Sequence, residues 1–387
     1  MQLRVSVVVA LLVISLVAPA GAIGAPMSQD STSAEPECTF PITVEDETGT
    51  ELTLEEQPDR IVTLRPSAAQ TLWEIGGKEQ VVGVSKHAEN LEGTDEIESI
   101  SEEETTVSTE KVVGLDPDLV LAPGSTDDET VEQLRELGVT VYQFESASSL
   151  DDVYSNVETI GKLSGNCEGA EETTDWMDEQ LDIVADTIEG EESPDVLYSF
   201  FGFTAGQDTF IDELIVAAGG TNVAAEEGIE EYQPLNEETV VDTDPDWIVL
   251  NTNSPEIPDG EGYEETTAVQ NDQVIVIDIN HLNRPGPRVV YAVTEMAEAF
   301  HEDSYAEAVD AAESESDEGG DDATQADDDP QQNGVDDQED GDEQTSDDPA
   351  DPEDDGSVDD DLAGFGIGVA ALALSLVALL GRVGGDR

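Results

Sequence analysis

Cations are almost missing from this chain, with 12 Lys and Arg against 94 Asp and Glu and a formal charge of −82. Nine of those 12 are spread thinly between Arg60 and Arg288, so they cannot build the positive stripe that holds phosphates, and nucleic-acid binding is excluded. Histidine is equally scarce. His87, His281 and His301 are scattered and no Ser sits in a G-x-S-x-G turn, so no nucleophile with its base is visible and the chain does not read as an enzyme. A zinc or manganese carrier needs several His and carboxylates converging, and only His87 and His281 could serve. Two cysteines alone do not make a zinc site, and no resident metal or cofactor is expected. The glycines of Gly364-Phe365-Gly366-Ile367-Gly368 do not complete G-x-G-x-x-G and follow no strand, so they hold no dinucleotide.

Hydrophobic residues make up 37% of the chain and gather into short Val/Ile/Leu runs, enough to bury one or two cores. The charge then speaks about the solvent. At ~0.15 M salt screening reaches ~8 Å and self-repulsion on this scale opposes compaction, whereas at ~1 M it reaches only ~3 Å. An extreme halophile's protein is expected.

Both ends carry targeting signals. Residues 1–25 combine Arg4, an apolar run from Val5 to Val17 and the small residues Ala18, Ala20, Ala22 and Ala25, the pattern of a secretory signal. In an exported chain Cys38 and Cys167 are expected to form a disulfide. Residues 309–361 read as a disordered acidic stalk. Ala311 to Asp361 holds 24 acids and no Lys, Arg or aromatic residue, so it cannot bury enough apolar surface to offset ordering. Residues 362–387 form an anchor or sorting tail. Leu362 to Gly381 is apolar, ~30 Å long as a helix, and is followed by Arg382 and Arg387, which suits a bilayer span. Its opening, with Gly364 and Phe365, resembles the PGF-type sorting signal that archaeal sortases remove and replace with a lipid, with Ala363 in place of the usual Pro.

Between these ends the chain echoes itself. Glu110 to Leu121 reads EKVVGLDPDLVL and Glu238 to Val249 reads ETVVDTDPDWIV, at a constant offset of 128. The pattern predicts a short helix stopped before Pro117 or Pro245, then a buried strand. Strand-like runs at Arg60–Leu64, Val81–Ser85, Leu119–Ala122 and Val139–Phe144 recur as Val196–Phe200, Trp247–Leu250 and Val274–Asp278. The fold class is therefore α/β, with two Rossmann-like lobes at residues 38–146 and 192–308. Each lobe's first helix ends at a glycine pair, Gly76-Gly77 or Gly219-Gly220. Residues 147–191 connect the lobes, and Met177, Leu181, Val184 and Ile188 share one face of a long helix. Trp73 and Trp247 read as core.

These features, with the PDLVLA run, the Asn283-Arg284-Pro285-Gly286-Pro287-Arg288 stretch and a final helix, resemble the vitamin B12/iron-siderophore family of ABC-transporter solute-binding proteins over about Cys38 to Ala308. The resemblance implies a cell-surface monomer that captures a corrinoid, or alternatively an Fe(III)-siderophore or haem-like chelate, and delivers it to a permease with its ATPase. Ligand contacts are expected in loops after strands. Arg65, Pro66 and Ser67 follow the first strand, with Arg65 suited to a ligand carboxylate, amide or phosphate and Ser67 to capping. Phe203, favoured over Phe201, offers aromatic surface to a flat macrocycle. Tyr232 falls where B12-binding members place a stacking tryptophan, and His87 where relatives have a cleft aromatic residue. His281 and Arg284 lie after the last strand, with Arg284 implied to reach the ligand and Arg288 to brace a helix start. Glu104 stands where another cleft aromatic is usual. Family members dock on their permease through one acidic residue per lobe, implying Glu213 and, because its symmetry mate is Gln70, Glu74.

Overall fold

The computed structural model describes residues 38–102 and 106–319. The signal segment, Glu104, the acidic stretch past residue 319 and the tail with Gly364 and Phe365 lie outside the described residues. Among the described residues no helix is long and apolar enough to cross a membrane.

A hairpin comes first, β1 (Ile42–Glu45) antiparallel to β2 (Glu51–Leu54). The first lobe continues through β3 (Ile61–Thr63), α1 (Pro66–Glu74), β4 (Val81–Val84), β5 (Glu98–Ser99), α2 (Thr109–Gly114), β6 (Leu119–Ala122), α3 (Asp128–Glu136) and β7 (Val141–Gln143). Its strands run parallel in the order β5-β4-β3-β6-β7. β3 and β6 are buried along their whole length, as strands covered by helices on both faces must be. Successive side chains divide between two clusters, Ile61, Leu119 and Leu121 on one face and Val62, Leu64 and Val120 on the other.

Two helices, α4 (Leu150–Ser164) and α5 (Cys167–Ile188), lead to the second lobe. That lobe holds β8 (Asp195–Tyr198), β9 (Phe203–Ala205), α6 (Phe210–Ala217), β10 (Thr221–Asn222), α7 (Val223–Glu226), β11 (Tyr232–Pro234), α8 (Glu237–Thr243), β12 (Trp247–Asn251), α9 (Glu261–Glu264), α10 (Thr267–Gln270) and β13 (Val274–Ile277). The chain closes with α11 (Ile279–Leu282), α12 (Val289–Phe300) and α13 (Glu302–Gly319). The main sheet is parallel in the order β10-β8-β12-β13, and β9 pairs separately with β11. In each lobe the first strand has its successor on one side and the strand after the DPD motif on the other, so the sequence repeat is also a repeat of topology.

The motif has a structural explanation. Asp116 and Asp244 take left-handed backbone angles, with φ of 47° and 39°, and so end α2 and α8; Asp tolerates this region better than most residues. The following Pro prevents the helix from resuming. Asp118 Oδ2 then accepts the N–H groups of Asp59 and Arg60, at 3.0 and 2.9 Å, and Asp246 Oδ2 accepts that of Asp195 at 3.0 Å. The second Asp of each motif thus holds the beginning of its lobe's first strand. Gly76 and Gly219, with φ of 79° and 84°, provide the left-handed turn after α1 and α6.

The connecting helix forms as the periodicity predicts. Met177 and Val184 on α5 are buried, while Leu181 and Ile188 pack against the same cluster, which runs without a break from Ile61 in the first lobe to Val249 in the second. Cys38 and Cys167 are bonded, with Cα atoms 5.9 Å apart, tying the chain ahead of β1 to the first residue of α5. Trp73 and Trp247 pack against the core, Trp247 with its ring 5.6 Å from that of Phe300. One boundary moves. The chain expected to extend from residue 309 continues in α13 to Gly319, because Ala and Glu are strong helix formers and Tyr305 anchors the helix start against the core.

Candidate functional site

Parallel α/β sheets bind ligands beyond the carboxyl ends of their strands, where neighbouring connections diverge. In the first lobe this place lies after β3 and β6. Arg65 occupies the N-cap of α1 in extended conformation, Pro66 stands at the first helical position, and no side chain caps the helix. Ser67, expected to cap, sits one position inside the helix instead. The residue is 8% exposed, and its hydroxyl has no hydrogen-bond partner among the described residues. The Arg65 side chain is 19% exposed, its guanidinium stands 3.9 Å from Asp127, and its buried Nε has no partner.

Beside these residues lies a cavity of about 170 Å³. Its first-lobe wall is formed by the start of α1, by Pro123, Gly124 and Ser125 after β6, by the loop after β7 and by Asn156 of α4; Asn283 and Pro285 close it from the second-lobe side. Sequence reading missed the polar floor on that side, of which Asn283 lines the cavity while Tyr198 and Asn251 lie fully buried behind it. Asn251, at the end of β12, donates from Nδ2 to the Tyr198 hydroxyl at 2.8 Å, and the Asn283 side chain lies 3.3 Å from both groups. Burial raises the Tyr198 pKa against the opposing effect of these two Asn contacts, so the hydroxyl is neutral and fixed.

The aromatic residues of the second lobe come together on the β9–β11 ribbon. Phe200 and Phe203 exchange backbone hydrogen bonds at 2.9 Å across a two-residue turn whose members, Phe201 and Gly202, both have positive φ, the geometry of a type I′ hairpin turn. The register sets Pro234 opposite Phe203 and Tyr232 opposite Ala205. Opposed residues share a face, as do alternate residues of one strand, so Phe203 and Tyr232 emerge on the same side as diagonal neighbours. They are 45% and 51% exposed, and Phe201 at the tip, where the positive φ turns it outward, is 65% exposed. The ribbon adjoins the polar floor. Phe200 stacks on Tyr198 with centroids 6.4 Å apart. Partial burial of Tyr232, reinforced by Tyr198, raises its pKa to about 12.

The other residues singled out from the sequence take several places. Arg284 donates to Asn90 Oδ1 at 2.7 Å and to the His87 carbonyl at 2.5 Å, linking the lobes, and burial lowers its pKa to about 10, which leaves it charged. His87 is exposed on the turn after β4. His281 packs its ring 5.1 Å from Tyr291, itself 5.3 Å from Trp176 of α5; burial lowers its pKa, with Asp278 opposing. Glu74 is paired with Arg288 at 2.6 Å, and Arg288 does stand at the N-cap of α12. Fully buried Gln70 donates to the Asn280 carbonyl and accepts the Arg288 N–H, both at 3.3 Å. Glu213 is half-buried in the first turn of α6. Among the described residues no cluster of three or more His, Cys, Asp or Glu could hold a metal ion.

Comparison with known proteins agrees with this architecture. A cobalamin-binding protein of Halobacterium salinarum is 40% identical over 309 residues, spanning 76% of this chain and 84% of the relative. A vitamin B12-binding protein of Vibrio cholerae is 27% identical over 246 residues, 62% of this chain and 87% of the relative. Among solved structures, the apo form of the periplasmic heme-binding protein RhuT from Roseiflexus sp. RS-1 matches with a TM-score of 0.58 at 27% identity, covering 64% of this chain and 99% of that one. The family profile of periplasmic binding proteins spans residues 61–280, both sheets and the connecting helix included, and the chain belongs to that family of solute-binding proteins.

Proposed function

We propose that this chain captures cobalamin or a related corrinoid in the cleft between its lobes and passes it to the permease and ATPase of an ABC importer. The observation that carries the reading is the aromatic ribbon. Phe203 and Tyr232 leave flat apolar surface exposed on one face, beside the Tyr198–Asn251–Asn283 floor. Such surface is rarely left to water on one small ribbon without an occupant, and it suits a macrocycle whose faces are apolar and whose edge carries polar arms. Curated relatives that bind cobalamin and vitamin B12 support the same ligand. The reading includes a monomer held on the outer face of the cell membrane in strong salt, the place there being supported by the leader and the apolar tail and the salt by the acidic composition, and Glu213 remains the docking candidate in the second lobe.

Calorimetric titration of the full chain in molar salt tests the reading. Cyanocobalamin is expected to bind with Kd below about 1 μM, or about −8 kcal/mol. Heat from haemin or a ferric siderophore, with none from cyanocobalamin, would overturn the corrinoid assignment in favour of a chelate carrier.

A further inference from the structure

Resting on the corrinoid reading, we infer that the cavity at the start of α1 is a subsite for one uncharged propionamide arm of the macrocycle, and that it discriminates against the corresponding carboxylate. Size is the first argument. The cavity holds about 170 Å³, several times the ~30 Å³ share of one water and well below the ~300–1,000 Å³ of a site that encloses a whole ligand. It therefore takes a projection from a ligand whose body lies outside, against the ribbon.

The lining gives the chemistry. Ser67, a residue only 8% exposed, presents a hydroxyl with no protein partner among the described residues, and half-buried Asn156 presents a side-chain amide that is likewise unpartnered there. Each can donate and accept, which matches the donor and acceptor of a primary amide. Ser67 and Ala68 also line the cavity, and backbone N–H groups in the first turn of a helix have no intrahelical acceptor, so they are placed to receive the arm's carbonyl oxygen. A helix start would welcome a carboxylate too. Two features oppose it here. No Lys, Arg or His is among the lining residues, whereas Glu145 is. A second carboxylate would meet Glu145 unpaired and would leave Ser67 and Asn156 without a group to accept from, both costly in a confined site.

The test uses the full chain in molar salt and the three monocarboxylic acids of cyanocobalamin in which one propionamide is hydrolysed. All three carry the same added charge, so general repulsion by an acidic protein affects them alike. One isomer is expected to bind about 10-fold or more weaker than cyanocobalamin, and the other two within about threefold. Asn156→Asp is expected to weaken cyanocobalamin by about 10-fold, and Ser125→Leu, which fills the cavity, by at least as much; melting curves establish that both variants fold. Equal binding of the three isomers overturns the inference, as does unchanged affinity in both folded variants. If the unsubstituted protein binds no corrinoid, the functional reading falls and the subsite with it, an outcome distinct from corrinoid binding that is indifferent to the cavity.

Discussion

Truncating the aromatic ribbon separates binding from folding, because the area at stake is the area the free protein leaves exposed. A Phe side chain offers ~200 Å², and the 45% of Phe203 that faces solvent is therefore ~90 Å² available to a ligand. At ~25 cal/mol per Å² that surface is worth ~2 kcal/mol, or ~30-fold in Kd. Phe203→Ala should weaken cyanocobalamin by about that factor, and Tyr232→Ala, slightly more exposed, by as much or more. Since the two rings are diagonal neighbours on one face, they contact adjoining parts of one surface and their effects should not multiply fully; the double variant should lose more than ~100-fold but less than the product. Folding should change by no more than ~0.5–1 kcal/mol, because each side chain is already about half in water. Calorimetry of the three variants, with thermal melts alongside, checks both halves. If the double variant binds within twofold of the parent at unchanged melting temperature, the ribbon is not the stacking surface and the argument from exposed area is wrong.

Other perturbations test the frame around the site. The Asp46 carboxylate, fully buried, is paired with Arg135 and accepts N–H groups from Thr48, Thr50 and Gln143. Burial alone would raise its pKa, but these hydrogen bonds and the Arg135 charge outweigh it and hold it below the ordinary 3.8. A lowered folded-state pKa gives stability that is complete above the unfolded value and lost as pH falls through the folded one. Asp46→Ala should therefore destabilise by about 3–5 kcal/mol at pH 7 and by much less in acid below the folded pKa, as denaturant melts at the two pH values would reveal. Reducing the Cys38–Cys167 bond, which closes a loop across a separation of 129 residues, should cost at most about 5 kcal/mol, read as a fall in melting temperature with dithiothreitol that Cys38→Ser reproduces. Gly124→Ala would place a Cβ on the backbone of Glu145 and Ser146, where nothing can rotate away. It should destabilise by about 1–3 kcal/mol and weaken cyanocobalamin as the cavity wall shifts, both measurable on one preparation.

What the sequence discloses is what local chemistry dictates. The lobe repeat is visible because Asp116-Pro117-Asp118 and Asp244-Pro245-Asp246 punctuate the chain by backbone sterics and act on the nearest strand. The connecting helix is visible because Met177, Leu181, Val184 and Ile188 keep one period with no Gly or Pro to interrupt it. The ribbon is not visible as a ribbon. Its strands are three residues each and are separated in sequence from Ala205 to Tyr232, so no hydrophobic alternation has room to register, and the outward turn of Phe201 depends on a positive φ unusual for that residue. Tyr198, Asn251 and Asn283 meet only because β8, β12 and the segment after α11 converge. The partnerships of Arg284 and Arg288 lie across the lobes, at separations of 194 and 214 residues, and nothing in either residue's neighbourhood announces them.

Those cross-lobe contacts bear on how the site works. Gln70 and Glu74 of α1 hold Asn280 and Arg288, Arg284 holds the turn at His87, and a single hydrophobic cluster runs through α5 and α12 between the sheets. A wide opening would break several of these at once and expose core, whereas small rocking about the connecting helix would not. With little closure available, affinity must come from surface already in place before the ligand arrives. The half-exposed ribbon and the Ser67 and Asn156 side chains on the cavity wall are surface of that kind. Apolar surface left in water has a cost in the free protein, and a ligand that covers it recovers that cost on binding, so preorganisation takes the place that lobe closure holds in more flexible carriers.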